Sequence, residues 1–561
     1  MGNKVPLKGS CGSAKLACVL LLWVLYVAHQ NFFCVSGDGL TLSTQNVTVV
    51  VGVNRSIARV SDTFVCATLD WWPPDKCDYG TCSWDHASLL NLDLTNPILH
   101  NAVKGLYPVL LRLGGSLQDQ VVYDVGDIQL PCHPFVRAPG LFGYSEGCLN
   151  MSRWQALNDF FSETGSQVAF GLNALYGRET NRSLPWDSSN TRNFIQFTAN
   201  QGYPIYAWEL GNELSSSGIG AKLSGSQYAD ATKELRTIVN EVNSGSAVKP
   251  FVVAPDGFFE KNWYRDLLQN TGSQVLNACT FHIYNLGPGD SSNYLDSKIL
   301  DPSFLDKGAA IFFNVSQTLL TYGPWVQAWV GESGGAYNSG QPHVSHSFLS
   351  SFWYVDQLGM AATFNTQVYC RQSLIGGHYG LLNTTTFHPN PDYYSALLWK
   401  ELMGTEVLSA VSVGNVYLRA YAHCTKGDTH SIAVALINLS NTTEFNVHIP
   451  IHDSTVNHGG AQSPGIRLSV FGDLFSCKSK RKAVELQSKR LEYHLTAATG
   501  DLHSHSVLLN GKVLEITPDG NLPNLVPAPA DKSLPVIVAP TSIVFVTIPD
   551  VSAPACLLAG A

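Results

Sequence analysis

Charge is scarce in this chain. Only 14% of its 561 residues are Asp, Glu, Lys or Arg, and the balance is −9, so there is no basic surface to hold nucleic acid or a polysulfated chain. Long apolar runs are missing as well. The one at Leu16–Ala28 is 13 residues, too short to span a bilayer but right for the core of a signal peptide. It follows Lys4, Lys8 and Lys15 and precedes the small residues Val35-Ser36-Gly37, so residues 1–37 are expected to be a leader removed before Asp38. Pro6 stands where a myristoylation signal needs Ser or Thr. Gly114-Gly115 lacks the rest of a dinucleotide fingerprint, Ser333 and Ser373 lack a nucleophile elbow, and His343 with His346 lack a carboxylate or Cys to complete a metal site. No cofactor and no metal are expected, and the two histidines are expected at the surface.

What is present is glycine (48), proline (28) and aromatic residues (11%), the composition of a turn-rich globular protein long enough for two domains. Export is the consistent reading. Eight sequons, at Asn46, Asn54, Asn150, Asn181, Asn314, Asn383, Asn438 and Asn441, are candidate glycosylation sites of a secreted protein, with the cell wall, lysosome or vacuole as destinations. Of 13 Cys, Cys11, Cys18 and Cys34 would leave with the leader, and the other ten fit an oxidising compartment. Cys77 and Cys82 flank a tight turn, and Cys132 and Cys148 bracket a Pro/Gly-rich loop, so each pair is expected to form locally. Cys66, Cys279 and Cys370 lie in apolar runs and are expected as buried free thiols.

Short, nearly continuous apolar runs recur at Phe64–Asp70, Tyr107–Gly115, Ser166–Leu175, Pro204–Glu213, Pro250–Gly257, Ala278–Asn285, Trp325–Ser333 and Ala361–Gln372. Their starts lie roughly 40 residues apart, with amphipathic stretches such as Tyr228–Val242 and Gln341–Leu358 between them. This pattern predicts an α/β (β/α)8 barrel over residues 62–395, whose chemistry belongs at the C-terminal strand ends. Those ends are polar: Asp70, Arg112, Asn173, Glu213, Asp256, His282 with Tyr284, Glu332, and Arg371 with Gln372. Residues 396–561 read as an antiparallel β-sandwich domain with strands at Val416–Ala422, Ser431–Leu439, Glu444–Ile451, Ile466–Phe471, Ser506–Asn510, Val513–Thr517 and Thr541–Ile548. Thr41–Val51 and Ser56–Val60, within 38–61, are expected to join that sheet. The basic stretch Lys478–Arg490 reads as a solvated hairpin loop.

Two of the polar ends carry the function. Ala207-Trp-Glu-Leu-Gly-Asn212-Glu213 and Trp329-Val-Gly-Glu332-Ser333 each end an apolar strand in a carboxylate, and a buried carboxylate costs free energy to desolvate unless it is employed. A pair of them points to the two acids of a glycosidase, and Asn212 can hold a sugar hydroxyl beside one. With Thr280-Phe-His-Ile-Tyr284, Arg371-Gln-Ser-Leu-Ile-Gly-Gly-His-Tyr379 and Asp392-Tyr-Tyr, these motifs resemble the heparanase family, glycoside hydrolase family 79, and within it the plant heparanase-like proteins. The likeness runs from about Asp62 to Cys556. It implies a retaining β-glucuronidase acting on glucuronic-acid-containing glycans, or on small-molecule glucuronides such as those of flavonoids. It further implies Glu213 as acid/base, Glu332 as nucleophile and Tyr284 as its hydrogen-bond donor. Asp70, Asn212, His282, Gly377 and Tyr379 would contact the sugar, and Cys424 and Cys556 would pair. A non-catalytic glycan-binding protein is the rival, disfavoured because both carboxylates are present. Two departures from the animal members stand out. Only about 50 residues separate Gly115 from Ser166, leaving little room for an excised linker, and Asp256–Asp266 balances acids against bases where those members carry a basic helix. A single chain that needs no internal cleavage is expected.

Overall fold

In the computed structural model, which describes residues 42–126, 131–179, 181–450 and 489–557, eight parallel strands close into a barrel. They are β1 (Val65–Leu69), β2 (Leu110–Leu113), β3 (Gln167–Leu172), β4 (Ala207–Leu210), β5 (Phe251–Phe258), β6 (Ala278–Ile283), β7 (Gln327–Ser333) and β8 (Thr366–Arg371). Each falls within, or within one residue of, one of the eight apolar runs. The described residues from Thr44 onward form one compact unit. The leader, Cys477, the expected strand Ile466–Phe471 and most of the basic stretch lie outside the described residues.

The barrel is filled from within. Cys66, Leu110, Ala169, Ala207, Val253, Ala278, Trp329 and Val368, one from each strand, form an inner apolar cluster in which the indole occupies the volume left by the alanines. This plug seals the barrel beneath the polar strand ends. Cys66 and Cys370 are not free thiols but a disulfide, because β8 pairs with β1 in a register that sets Cys370 directly opposite Cys66. Cys279 is free and buried. Cys77–Cys82, Cys132–Cys148 and Cys424–Cys556 are bonded as expected.

Local signals place the outer helices. Ser224 and Gln227 form a capping box that starts Gly225–Val242, and the Glu260 side chain caps Lys261–Thr271. The expected amphipathic stretch Gln341–Leu358 is instead a turn followed by a helix, Phe348–Thr363, buried on all faces through Ala362. The antiparallel sheet domain covers its outer side. Asp356 of this helix accepts hydrogen bonds from Arg419 Nε at 2.8 Å and Tyr421 Oη at 2.6 Å. Gly359 allows the Tyr421 ring to approach, since a Cβ there would stand 2.1 Å from it.

That domain is a twelve-stranded sheet that folds over on itself around a second core containing Val49, Val434, Phe445, Val538 and Val546. Ser43–Gly52 and Ala58–Arg59 both pair with Met403–Val413, so the N-terminal strands do join it. Met403–Val413, Lys489–Ala497, Ala528–Asp531 and Val536–Val538 are strands that pattern alone does not reveal. Lys489 and Arg490 begin one of them, and Arg490 is buried against Glu492 at 2.6 Å, not solvated in a hairpin loop. Among the sequons, Asn438 is fully buried and its amide donates to the carbonyls of Thr443, Val538 and Ala539, which leaves no room for a glycan in the folded chain. Asn46, Asn54, Asn150, Asn181, Asn314 and Asn441 are exposed and Asn383 is half-buried.

The segment after β2 is part of the scaffold. Val121–Tyr123 pairs with Gly147–Leu149, Asp119 accepts from the backbone N–H groups of Ala174 and Asn212, each at 2.8 Å, and Met151–Thr164 is a barrel helix.

The Cys66–Cys370 bond closes the barrel seam, so Cys370→Ala should lower the unfolding free energy by about 2–4 kcal/mol. Non-reducing peptide mapping should recover the two cysteines in one linked peptide. Recovery of both as alkylated thiols would show that the seam is held by hydrogen bonds alone.

Candidate active site

The chain turns sharply where β4 ends, and Gly211 and Glu213 both adopt positive φ (67° and 54°). For glutamate that conformation is strained and persists only where surroundings impose it. Here the Glu213 N–H donates to the Asp256 carbonyl at 2.7 Å and its own carbonyl accepts from Ile219 at 2.9 Å. Asp256, at the end of β5, likewise has φ 50°. The two strand ends hold each other.

Beneath them lies Arg112 of β2, 1% exposed. Its Nε donates to Glu209 at 2.8 Å, Nη1 to Glu332 at 3.0 Å, and Nη2 to Asn212 Oδ1 at 2.8 Å and to Asp256. Burial works against its charge, but Glu209 and Glu332 outweigh burial and raise its pKa above the usual arginine value. Glu332, the penultimate residue of β7, also accepts from Tyr284 Oη at 2.5 Å. His282 of β6 stands between two acids, with Nδ1 2.9 Å from Glu213 Oε1 and Nε2 2.9 Å from Asp256 Oδ1. Gly331 makes room for this. A Cβ there would fall 1.8 Å from Asp256 Oδ1.

Glu213 and Glu332 open into a cavity of about 270 Å³ with Asp70, Tyr284, Gln372 and Tyr379 on its walls and Trp72, Phe142 and Tyr337 among its other lining residues. Donor atoms of Glu213, His282 and Glu332 lie within 4.8 Å of one another. Asp70 accepts from Trp71 N at 2.6 Å and Gln372 Nε2 at 3.0 Å. Burial, helped by the charge of Glu332, pushes its pKa up to about 7. Burial raises the Tyr284 and Tyr379 hydroxyls well above their ordinary value, so both stay protonated as donors. Lys76 is the cation on the wall, paired with Asp78 at 2.7 Å and lying over the Trp72 ring at 4.6 Å.

The structure therefore gathers Asp70, Asn212, Glu213, His282, Tyr284, Glu332 and Tyr379 at one end of the barrel. Asn212 is held by Arg112 and Asp119, and His282 acts behind the cavity wall. Gly377 lies outside the cavity lining, its N–H donated to Ser83 at 3.0 Å, with the Tyr379 ring packed against it. Two polar strand ends are not part of the site. Asn173 ties down neighbouring loops through Val121 and Leu175, and Arg371 pairs with Asp392 at 2.9 Å beneath Trp353 and Tyr354. Asp119 and Glu209 belong to the machinery but do not stand out in the sequence, since both act from inside it. Their signal is indirect, because an arginine within the apolar run Val-Leu-Leu-Arg-Leu requires buried acids.

Comparison with known proteins identifies the family. Residues 46–359 match the profile described as glycosyl hydrolase family 79, N-terminal domain. Heparanase-like protein 2 of Arabidopsis thaliana is 48% identical over 522 residues, covering 91% of this chain and 95% of that protein. Baicalin-beta-D-glucuronidase of Scutellaria baicalensis is 37% identical, covering 98% of this chain and 97% of that one. Among solved structures, a 4-O-alpha-L-rhamnosyl-beta-D-glucuronidase from Fusarium oxysporum superposes with a TM-score of 0.61 over 89% of this chain and 100% of its own, at 16% identity. With two carboxylates converging at the C-terminal ends of β4 and β7 in such company, the chain belongs to glycosyl hydrolase family 79.

Proposed function

We propose that this glycoside hydrolase is a retaining β-glucuronidase that releases glucuronic acid from glycans. One carboxylate oxygen of Glu213 lies within 4.8 Å of one of Glu332, and this close approach of the two acids carries the reading. Retaining enzymes hold their carboxyl groups about 5–5.5 Å apart, whereas inverting ones leave about 6.5–9.5 Å for a water. Glu332, lying between the donors Arg112 and Tyr284, attacks the anomeric carbon. Glu213, oriented by His282, gives its proton to the leaving oxygen. In the second step it takes one from water, which displaces the enzyme carboxylate. Asp70, protonated below about pH 7, and the hydroxyl of Tyr379 face the sugar as neutral donors, with Lys76 available to its carboxylate. The aromatic side chains of Trp72, Phe142 and Tyr337 in the lining also favour a flat, apolar aglycone, and the Scutellaria relative is named for a small-molecule substrate, baicalin. Four disulfides and six exposed sequons support export to an oxidising compartment.

Glu332→Gln should abolish turnover of an aryl β-glucuronide while leaving the melting curve close to wild type. Glu213→Gln should spare activated aryl leaving groups and lose alkyl ones, since only the latter need a proton. NMR should find the β-anomer formed first. An α-anomer as initial product would reject the double displacement.

Heparan sulfate should be a poor substrate. Asp78 and Glu332 face the cavity as anions, with Lys76 the cation beside them. In the helix Lys261–Thr271, Arg265 is neutralised by Asp266 at 2.9 Å. At physiological salt, kcat/KM for glucuronic-acid-capped galactans should exceed that for heparan sulfate by about tenfold or more, a difference of roughly 1.4 kcal/mol. The reverse order would overturn the assignment of an unsulfated substrate.

Asp70 also makes stability depend on pH. Its folded pKa of about 7 lies above the ordinary 3.8, so the folded chain keeps a proton that the unfolded chain releases. That contribution is full below 3.8 and is lost as pH rises through about 7, at about 1.4 kcal/mol per pH unit. Asp70→Asn cannot ionise. Its melting temperature relative to wild type should therefore climb between pH 4 and pH 8. A constant difference would show that Asp70 is already ionised at the lower pH.

A further inference from the structure

Outside the catalytic cavity, the turn before helix Phe348–Thr363 presents His343 and His346, and the loop after Lys489–Ala497 brings His505 against them. One donor nitrogen of each of the three lies within 4.8 Å of the others, and the His346 and His505 rings are 4.4 Å apart. Sequence spacing alone left the i, i+3 pair without a third ligand; the sheet domain supplies it. His346 is not at the surface as expected but half-buried. Its Nδ1 lies 3.0 Å from the carbonyl of His378, to which it donates, so its Nε2 lone pair is free to bind. The two loops are fixed without any ion. Phe348 N donates to Ser504 O at 3.0 Å and Leu349 N to Leu502 O at 2.9 Å. His503 donates from Nδ1 to the His343 carbonyl at 3.1 Å and meets Asp296 through its other nitrogen at 2.7 Å. The cluster borders a second cavity of about 490 Å³, lined in part by His343, His346 and His378.

We propose that His343, His346 and His505 form a binding site for a divalent transition-metal ion, zinc in particular, which links the barrel to the antiparallel sheet domain. Three imidazoles suit zinc, copper or nickel and leave magnesium and calcium unbound, and zinc accepts three protein ligands with a water in its fourth position. The rings come from segments far apart in the chain, so an ion bound here stabilises the folded state and not the unfolded one.

The test uses untagged full-length protein, stripped with chelator and titrated with zinc chloride. Equilibrium dialysis should find about one tight equivalent per chain, Co²⁺ should give the visible absorption of a four-coordinate site, and the melting temperature should rise with metal. His346→Gln and His505→Gln should each weaken binding by about tenfold or more and remove the thermal shift. His86→Gln, at an exposed histidine elsewhere, should bind as wild type, and all three variants should hydrolyse an aryl β-glucuronide normally, which shows that they are folded. The proposal is overturned if chelated protein takes up no zinc at micromolar concentrations, or if both cluster variants bind it as tightly as wild type.

Discussion

One buried guanidinium organises this molecule's active end. Arg112 touches Glu209, Asn212, Asp256 and Glu332, side chains from three other strands or their ends. In an apolar barrel each of those acids would be costly alone, and so would the arginine. Together they offset one another's charge, and the fork geometry of the guanidinium fixes where the carboxylates of Glu209, Asp256 and Glu332 stand. The separation of Glu213 and Glu332 is thus not set by either residue. It follows from β4 and β7 both being referred to the same cation, Glu332 directly and Glu213 through Asn212, Asp256 and His282.

The layers below and around this network keep it rigid. The inner cluster of alanines, cysteines and Trp329 closes the barrel beneath it. Asp119, from the segment after β2, holds the backbone where β3 and β4 end. The sheet domain presses on the wholly buried helix Phe348–Thr363 through Asp356, Arg419 and Tyr421. A glycosidase needs its two acids placed to within a fraction of an ångström, and strands braced on both faces provide that better than loops do.

The barrel was legible because parallel strands covered on both faces are nearly continuous apolar runs, and all eight were found that way. Glu213 and Glu332 were legible because a carboxylate that ends such a run has few structural reasons to be there. What stayed hidden depends on long-range register. Cys66 and Cys370 lie 304 residues apart and meet only because the first and last strands are neighbours in the closed ring. Asp119 and Glu209 look ordinary until Arg112 is seen to need partners. Asn173 and Arg371 looked like site residues because strand position alone does not say which way a side chain turns. Met403–Val413 escaped because its burial alternates imperfectly along its length, and Lys489–Ala497 because its first two residues are basic.

The electrostatics of the cavity narrow the chemistry it can perform. The buried guanidinium of Arg112 is already engaged with five partners, and Lys76 on the wall is shared with Asp78. On the proposed reading, a uronate brought here meets the carboxylates of Asp78 and Glu332, and recognition rests mainly on neutral donors: the protonated Asp70 and the hydroxyls of Tyr284 and Tyr379. Such donors hold one carboxylate well and a string of sulfates poorly, because each further charge adds repulsion that no free cation offsets. The same acidity assists catalysis. In the proposed reaction, the anomeric carbon gains positive charge beside Glu332, whose carboxylate favours it, whereas the ground-state uronate gains nothing from that charge. An acidic cavity that disfavours polyanions is therefore also one that stabilises an oxocarbenium ion, and the low content of basic residues at this end of the barrel serves both ends.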